Sequence, residues 1–176
     1  MSKSDFPLKD VYGLLETGPV VLISTAWEKK ESIMAQSWHT MIEFEPPIVA
    51  CVISSLNYSH ELLDKSGECA INIPTLEIGE KVAACGNASG REVDKFKAFS
   101  LTRGRAEKIS APLVMECHAN LECKVVDRME KYELFFLEVV KAHVDISVHD
   151  PKTLHHRGYG AFMVAGETVR LESEMR

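Results

Sequence analysis

Three short stretches of this chain combine residue types that can hold an anion or a flat heteroaromatic ring. The first, "CGNASGREVDKF" (85–96), sets Gly86 and Gly90 around Asn87, Ala88 and Ser89, then closes with Arg91, Asp94, Lys95 and Phe96. Glycines take positive φ without steric cost, so such a loop brings backbone amides close to a ligand, with Ser89, Gly90, Arg91 and Lys95 placed around an anion. The same residues also read as one helix ending at Gly86 and another beginning near Ser89, with solvated charges. The second stretch, "SSLNYSHELL", puts Ser54, Ser55, Asn57 and Ser59 between a strand end and a helix start, where unpaired first-turn N–H groups favour phosphate. The third, "SIMAQSWHTM", carries Trp38 on a strand after Ala35, Gln36 and Ser37, which exposes backbone beside an aromatic wall. Singly, Trp38 reads as a core or interface aromatic, Ser59 as a cap and Lys95 as a solvated charge. Combined, the three stretches suit a flat, acceptor-rich ring with a phosphate tail.

Other chemistries lose support from spacing. Of the seven histidines, His155 and His156 are adjacent, so in an extended segment they point apart and do not share one metal. H-E-x-x-H, G-x-S-x-G, P-loop and G-x-G-x-x-G patterns are absent, which argues against a zincin, an α/β-hydrolase, a Walker-type NTPase and a Rossmann nicotinamide site. The five cysteines form an odd set without a C-x-x-C pair, and several sit in apolar surroundings such as "IVACVIS". They read as buried free thiols in a reducing compartment, with Cys85 packed rather than redox-active.

The elements that must position these residues are mostly strands. "PVVLISTAW", "SIMAQSWHTMIEF" and "PIVACVIS" predict an antiparallel meander beginning at Gly18, broken by "EKKE" and "EPP". "NYSHELLDKSG" predicts a helix ended by Gly67, "ECAINIP" a strand, and "TLEIGEKVAACG" a helix capped by Thr75. In "CHANLECKV" the residues Cys117, Ala119, Leu121, Cys123 and Val125 share one face and His118, Asn120, Glu122 and Lys124 the other, as in a half-buried strand. "ELFFLEVVKAHVDI" returns as its partner across "RMEKY", with density suggesting burial on both faces, and "GAFMVAGETVR" supplies a last strand. The expected fold is mainly β with short helices, a small barrel that closes on itself or through a second subunit.

With 176 residues, 45% hydrophobic and 26% charged, the chain reads as a single domain: a core of about 18–147 and a C-terminal extension, 148–176. A net charge of −6 argues against general nucleic-acid or anionic-membrane binding. The N-terminus lacks a signal-peptide core, and no apolar run approaches the ~20 residues a spanning helix needs, so the expected location is cytoplasmic.

From about Pro19 to Val144 the sequence resembles the flavin reductase-like family with the FMN-binding split-barrel fold, including the flavoredoxins. The segments that carry the resemblance are "PVVLISTA", "SIMAQSWHTMIEFEPPIVACVI", "NYSHELLDKSGECAINIP", "CGNASGREVDKF" and "APLVMECHANLECKVVDRMEKYELFFLEVVKAHV", in family order. It implies bound FMN held by the Met34–Trp38 stretch, by Ser59 and by Lys95. Ser32 stands where relatives often have Asn, Tyr132 where they often have His, and Phe162 falls in a late segment that approaches the flavin. The implied activity is FMN-dependent oxidoreduction with NADH or NADPH as donor and a small molecule or protein as acceptor. The implied alternative is a flavoredoxin-like electron carrier, and the implied assembly is a homodimer.

Overall fold

Alternating β-branched and apolar residues draw the chain into antiparallel strands. In the computed structural model, which describes residues 3–11, 19–157 and 160–172, β1 (Ser4–Asp5) is followed by β2 (Val21–Trp27) and β3 (Lys30–Gln36). Gly18, and residues 158, 159 and 173–176 of the C-terminal extension, lie outside the described residues. β4 (His39–Phe44) and β5 (Pro47–Val52) follow, then α1 (Tyr58–Ser66), which ends at Gly67 with a left-handed φ of 67° that glycine adopts freely. β6 (Glu68–Ile73), α2 (Gly79–Asn87), the one-turn α3 (Lys95–Ala98), β7 (Arg103–Gly104) and β8 (Leu113–Val114) lead to two long strands. These are β9 (Ala119–Met129) and β10 (Leu134–Val144), and a small ribbon of β11 (Leu154–His156) and β12 (Phe162–Val164) comes last.

The main sheet runs β3-β2-β6-β9-β10-β5-β4, with β1 added to β10. Its two edges, β3 and β4, are neighbours in sequence, joined only by Ser37 and Trp38. That short link forces the edges together at one end while they part at the other, so the sheet curls into a barrel split along this seam. Gln36 Nε2 bridges the link by donating to Trp38 O (2.5 Å) and Val52 O (3.3 Å). "SIMAQSWHTMIEF" is therefore two strands rather than one.

Inside the barrel, Val21, Ile23, Val49, Cys51, Cys69, Ile71, Leu121, Cys123, Leu137 and Val139 form the core. A second apolar cluster, including Leu22, Ile33, Val82, Cys85, Phe96 and Leu154, joins the outer face of β2 and β3 to the helices. β2 is thus buried on both sides, which accounts for its mostly apolar sequence, with Ser24 and Thr25 buried among the apolar residues.

Four local expectations are corrected. Thr75 makes no side-chain cap, because a 3₁₀ turn (Leu76–Ile78) comes between it and α2. α2 runs on through Gly86 to Asn87, and the next helix begins at Lys95 rather than near Ser89, with Asp94 as its cap. β10 alternates between half-buried and buried residues through most of its length and is buried on both faces only at Ala142, His143 and Val144. The polar face of β9 is covered in its first half, where Asn120 and Glu122 are fully buried, while Lys124 is exposed. Asn120 Nδ2 donates to Asn72 Oδ1 (2.7 Å) and Val114 O (3.0 Å), and Glu122 accepts from the N–H groups of Glu107 and Lys108 and contacts His143 Nε2 at 2.7 Å. The segment between β7 and β9 folds over this face, and Asn120 and Glu122 each meet a partner there.

Candidate functional site

The free edge of β3 organises the site. In an antiparallel ladder alternate residues turn N–H and C=O to the same side. Ile33 O accepts Lys95 Nζ at 2.6 Å, so Ile33 faces the open edge, and Ala35, two residues on, turns its backbone groups the same way. Lys95, 5% exposed, also donates to Cys85 O at 2.6 Å, near the end of α2 where carbonyls lack intrahelical partners. One ammonium thereby ties the helix to the strand edge. Burial lowers the Lys95 pKa, opposed by the Cys85 thiol. Burial likewise pushes the Cys85 thiol up to about 11, against the pull of Lys95, so this cysteine is a packed thiol. Asp94 accepts from Lys97 N–H and pairs with Arg103, whose guanidinium lies 4.3 Å above the Phe96 ring.

Beyond this tie, a cavity of about 280 Å³ is lined by Ala35, Gln36 and Ser37 from β3 and its end, Val82, Ala83, Gly86 and Asn87 from α2, and His156 and Phe162 from the final ribbon. Gln36 is 7% exposed, and its Oε1 is buried without a hydrogen-bond partner. An orphaned acceptor at a cavity wall calls for a donor from a ligand. Gly86 has only Ala35 Cβ nearby, at 3.5 Å from where its own Cβ would stand, which keeps the cavity edge thin.

A second cavity of about 280 Å³ opens at the other end of β3, lined by Lys29, Lys30, Ser32, Ile33, Tyr58, Gly90, Arg91, Lys95 and Arg103 among others. Arg103 is paired with Glu31 and Asp94, while Arg91 lies 5.2 Å over the Tyr58 ring, donates to Leu56 O at the entry to α1 and pairs with Glu61 at 3.4 Å. The Asn57 side chain makes no capping bond, so the helix N-terminus keeps its positive end toward this region. Ser59 Oγ donates to Ser32 Oγ at 2.9 Å behind it. Neither Gly86 nor Gly90 has positive φ. Gly90 serves instead for close approach, since a Cβ there would stand 2.4 Å from Ser32 Oγ. The amides of Arg91, Glu92 and Val93 fold back on Ser89, which leaves side-chain cations rather than loop N–H groups to meet an anion.

The fold thus gathers Ala35, Gln36, Ser37 and Phe162 at one cavity and Ser32, Gly90, Arg91 and Lys95 at the other, with Ser59 behind the second and Ser89 at its loop. Met34 turns into the barrel core, and Trp38 is 72% exposed beside the seam. Ser54 and Ser55 organise the approach to α1, Ser55 N–H donating to Glu133. Tyr132, in the β9–β10 turn, lines neither cavity. Sequence reasoning left out His156, Tyr58, Lys29 and Lys30; the "HHRGYGAF" segment was the one available signal for His156.

Comparison with known proteins agrees with this geometry. Residues 15–163 match the family described as "Flavin reductase like domain". The chain is 37% identical over 172 residues to the uncharacterized protein YddH of Escherichia coli (strain K12), covering 89% of this chain and 91% of that one. The crystal structure of an FMN-binding domain of flavin reductases-like enzyme from Shewanella baltica OS155 superposes with a TM-score of 0.92 at 26% identity, covering 97% and 98% of the two chains. The flavoredoxin from Methanosarcina acetivorans gives 0.77 at 26% identity, with 89% of each chain covered.

Proposed function

The chain belongs to the flavin reductase-like family, and from that premise we propose that it is an FMN-binding oxidoreductase that accepts hydride from NADH or NADPH and passes electrons to an acceptor. The observation that carries the reading is the buried, unpartnered Oε1 of Gln36 beside the open backbone edge of Ala35. Together they offer an acceptor and a main-chain donor and acceptor in one row, a match for the polar rim of an isoalloxazine. Four residues back along β3, about 14 Å at strand rise, the second cavity supplies Arg91, Lys30 and the α1 N-terminus for a phosphate. Ring and phosphate thus have separate, chemically matched ends.

When bound, FMN supplies two-electron and one-electron chemistry that no side chain provides. The chain orients it. Gln36, Ala35 and Ser37 fix the ring's polar edge, Phe162 walls its far side, and Arg91 neutralises the tail. Lys95 acts by positioning, since its bonds to Ile33 and Cys85 hold the strand edge in place. Trp38, Ile42 and Phe44, exposed along β4 and its approach, form the apolar face for a second copy, giving a homodimer joined near the seam.

The same exposed face supports a second reading, an electron carrier that docks a redox protein. Anaerobic mixing of the FMN-reconstituted protein with NADH and NADPH separates the two. Saturable bleaching of the flavin with turnover to an added acceptor supports the reductase; bleaching only by dithionite or a reduced protein partner supports the carrier. Failure to bind FMN at all overturns both.

A further inference from the structure

His155 and His156 stand next to each other in sequence yet are sent to opposite sides of β11. His155 Nε2 lies 3.2 Å from Thr153 Oγ1. His156 is paired in register with Phe162, their ring centroids 5.1 Å apart at 49°, and both line the cavity that holds Gln36. Among the described residues lining that cavity, His156 is the sole titratable side chain. The groups facing it from β3 are Ala35, Gln36 and Ser37, and from α2 Val82, Ala83, Gly86 and Asn87, none of which titrates. Among the described residues, charge returns beyond Phe162, where Glu77, Glu80 and Lys81 line an adjoining cavity, and on its own ribbon with His155 and Arg157.

We propose that His156 is the proton carrier of this site, an inference that rests on the FMN reading above. The need follows from the balance of the reaction. A reduced nicotinamide gives up one C–H bond as hydride, two electrons and one proton, whereas bringing a flavin to its neutral, fully reduced form takes up two electrons and two protons. That second proton comes from solvent, and the described residues of the cavity wall offer no other acid to carry it. His156 is exposed at the mouth while its ring packs on Phe162. It therefore meets water on one side and the cavity on the other. Its ring N–H bond breaks as the proton passes inward to form a new N–H bond on the reduced ring, and the same histidine nitrogen regains a proton from water.

The test compares wild type, His156→Gln and the control His155→Gln, each reconstituted with FMN. Fluorescence titration comes first: FMN affinity within threefold of wild type in His156→Gln keeps the cofactor reading and isolates the histidine. Stopped-flow reduction by NADPH and NADH across pH then reads the role. His156→Gln is expected to lose about 100-fold in rate and to flatten the pH dependence of the wild type, with partial recovery on adding imidazole. A readout independent of turnover is NMR of the imidazole side chains, where FMN should shift the His156 ring signals and leave those of His155 in place. Unchanged pH profiles in His156→Gln, or ring signals indifferent to saturating FMN, overturn the proposal while leaving FMN binding intact. Absence of FMN binding in wild type overturns both.

Discussion

Replacing Lys95 by methionine keeps the stem and removes the ammonium, so it isolates the tie between α2 and the β3 edge. Two bonds of 2.6 Å are lost, and the carbonyls of Ile33 and Cys85 are left buried without that donor. Each charge-assisted bond contributes about 1.5–3 kcal/mol net, and each stranded acceptor costs about 1–3 kcal/mol. Against this stands the desolvation that burial imposes on the ammonium, visible as its lowered pKa, which methionine relieves. The loss should therefore fall at about 2–4 kcal/mol rather than at the sum. Urea unfolding of flavin-free protein measures it. With a slope of about 2 kcal/mol/M, the midpoint should drop by about 1–2 M at constant slope. Measuring without flavin matters, because a lysine that served only a ligand would leave the apo-protein's stability untouched. A midpoint shift under about 0.3 M would refute the tie and return Lys95 to direct flavin contact.

Gly90→Ala places a Cβ 2.4 Å from Ser32 Oγ and 3.1 Å from the Tyr58 ring, so thermal melts should show a loss of about 1–3 kcal/mol that adding Ser32→Gly partly restores. Arg91→Gln should weaken FMN binding about tenfold, the low end for a charge-assisted bond because Arg91 is exposed, and leave riboflavin binding within about twofold in a fluorescence titration. Glu122 supplies a pH dependence. Burial alone would raise its pKa, but hydrogen bonds from the Glu107 amide, His143 and the Lys108 amide outweigh that and lower it below the ordinary 4.5. The unfolded chain then binds the proton more tightly, so this contribution is complete above 4.5 and is lost as pH falls through the depressed folded value. Urea midpoints from neutral pH into that acid window should fall in wild type and flatten in Glu122→Gln; equal slopes in both would remove Glu122 from the acid response.

Periodicity was enough to place most of the sheet. Apolar alternation marked β2, β5, β6 and the β9–β10 pair, Gly67 marked the end of α1, and the ordered motifs marked the flavin reductase-like family. Composition and spacing are local, and local signals report which residues must be buried along a strand or face a helix. They do not report what lies across. Asn120 and Glu122 read as part of a solvated face, because nothing local tells that the segment between β7 and β9 folds back to cover them and supply partners. Lys95 read as a cation for an anion, because its two carbonyl partners come from residues 62 and 10 positions away. Gly90 was legible as special, yet its reason proved to be the approach of Ser32 from another strand rather than a left-handed φ. Ser37 and Trp38 looked like the middle of one strand. They are the corner that joins the two edges of the barrel, a property of sheet closure that no single strand contains, and it is the parting of those edges away from this corner that leaves the β3 edge open for chemistry.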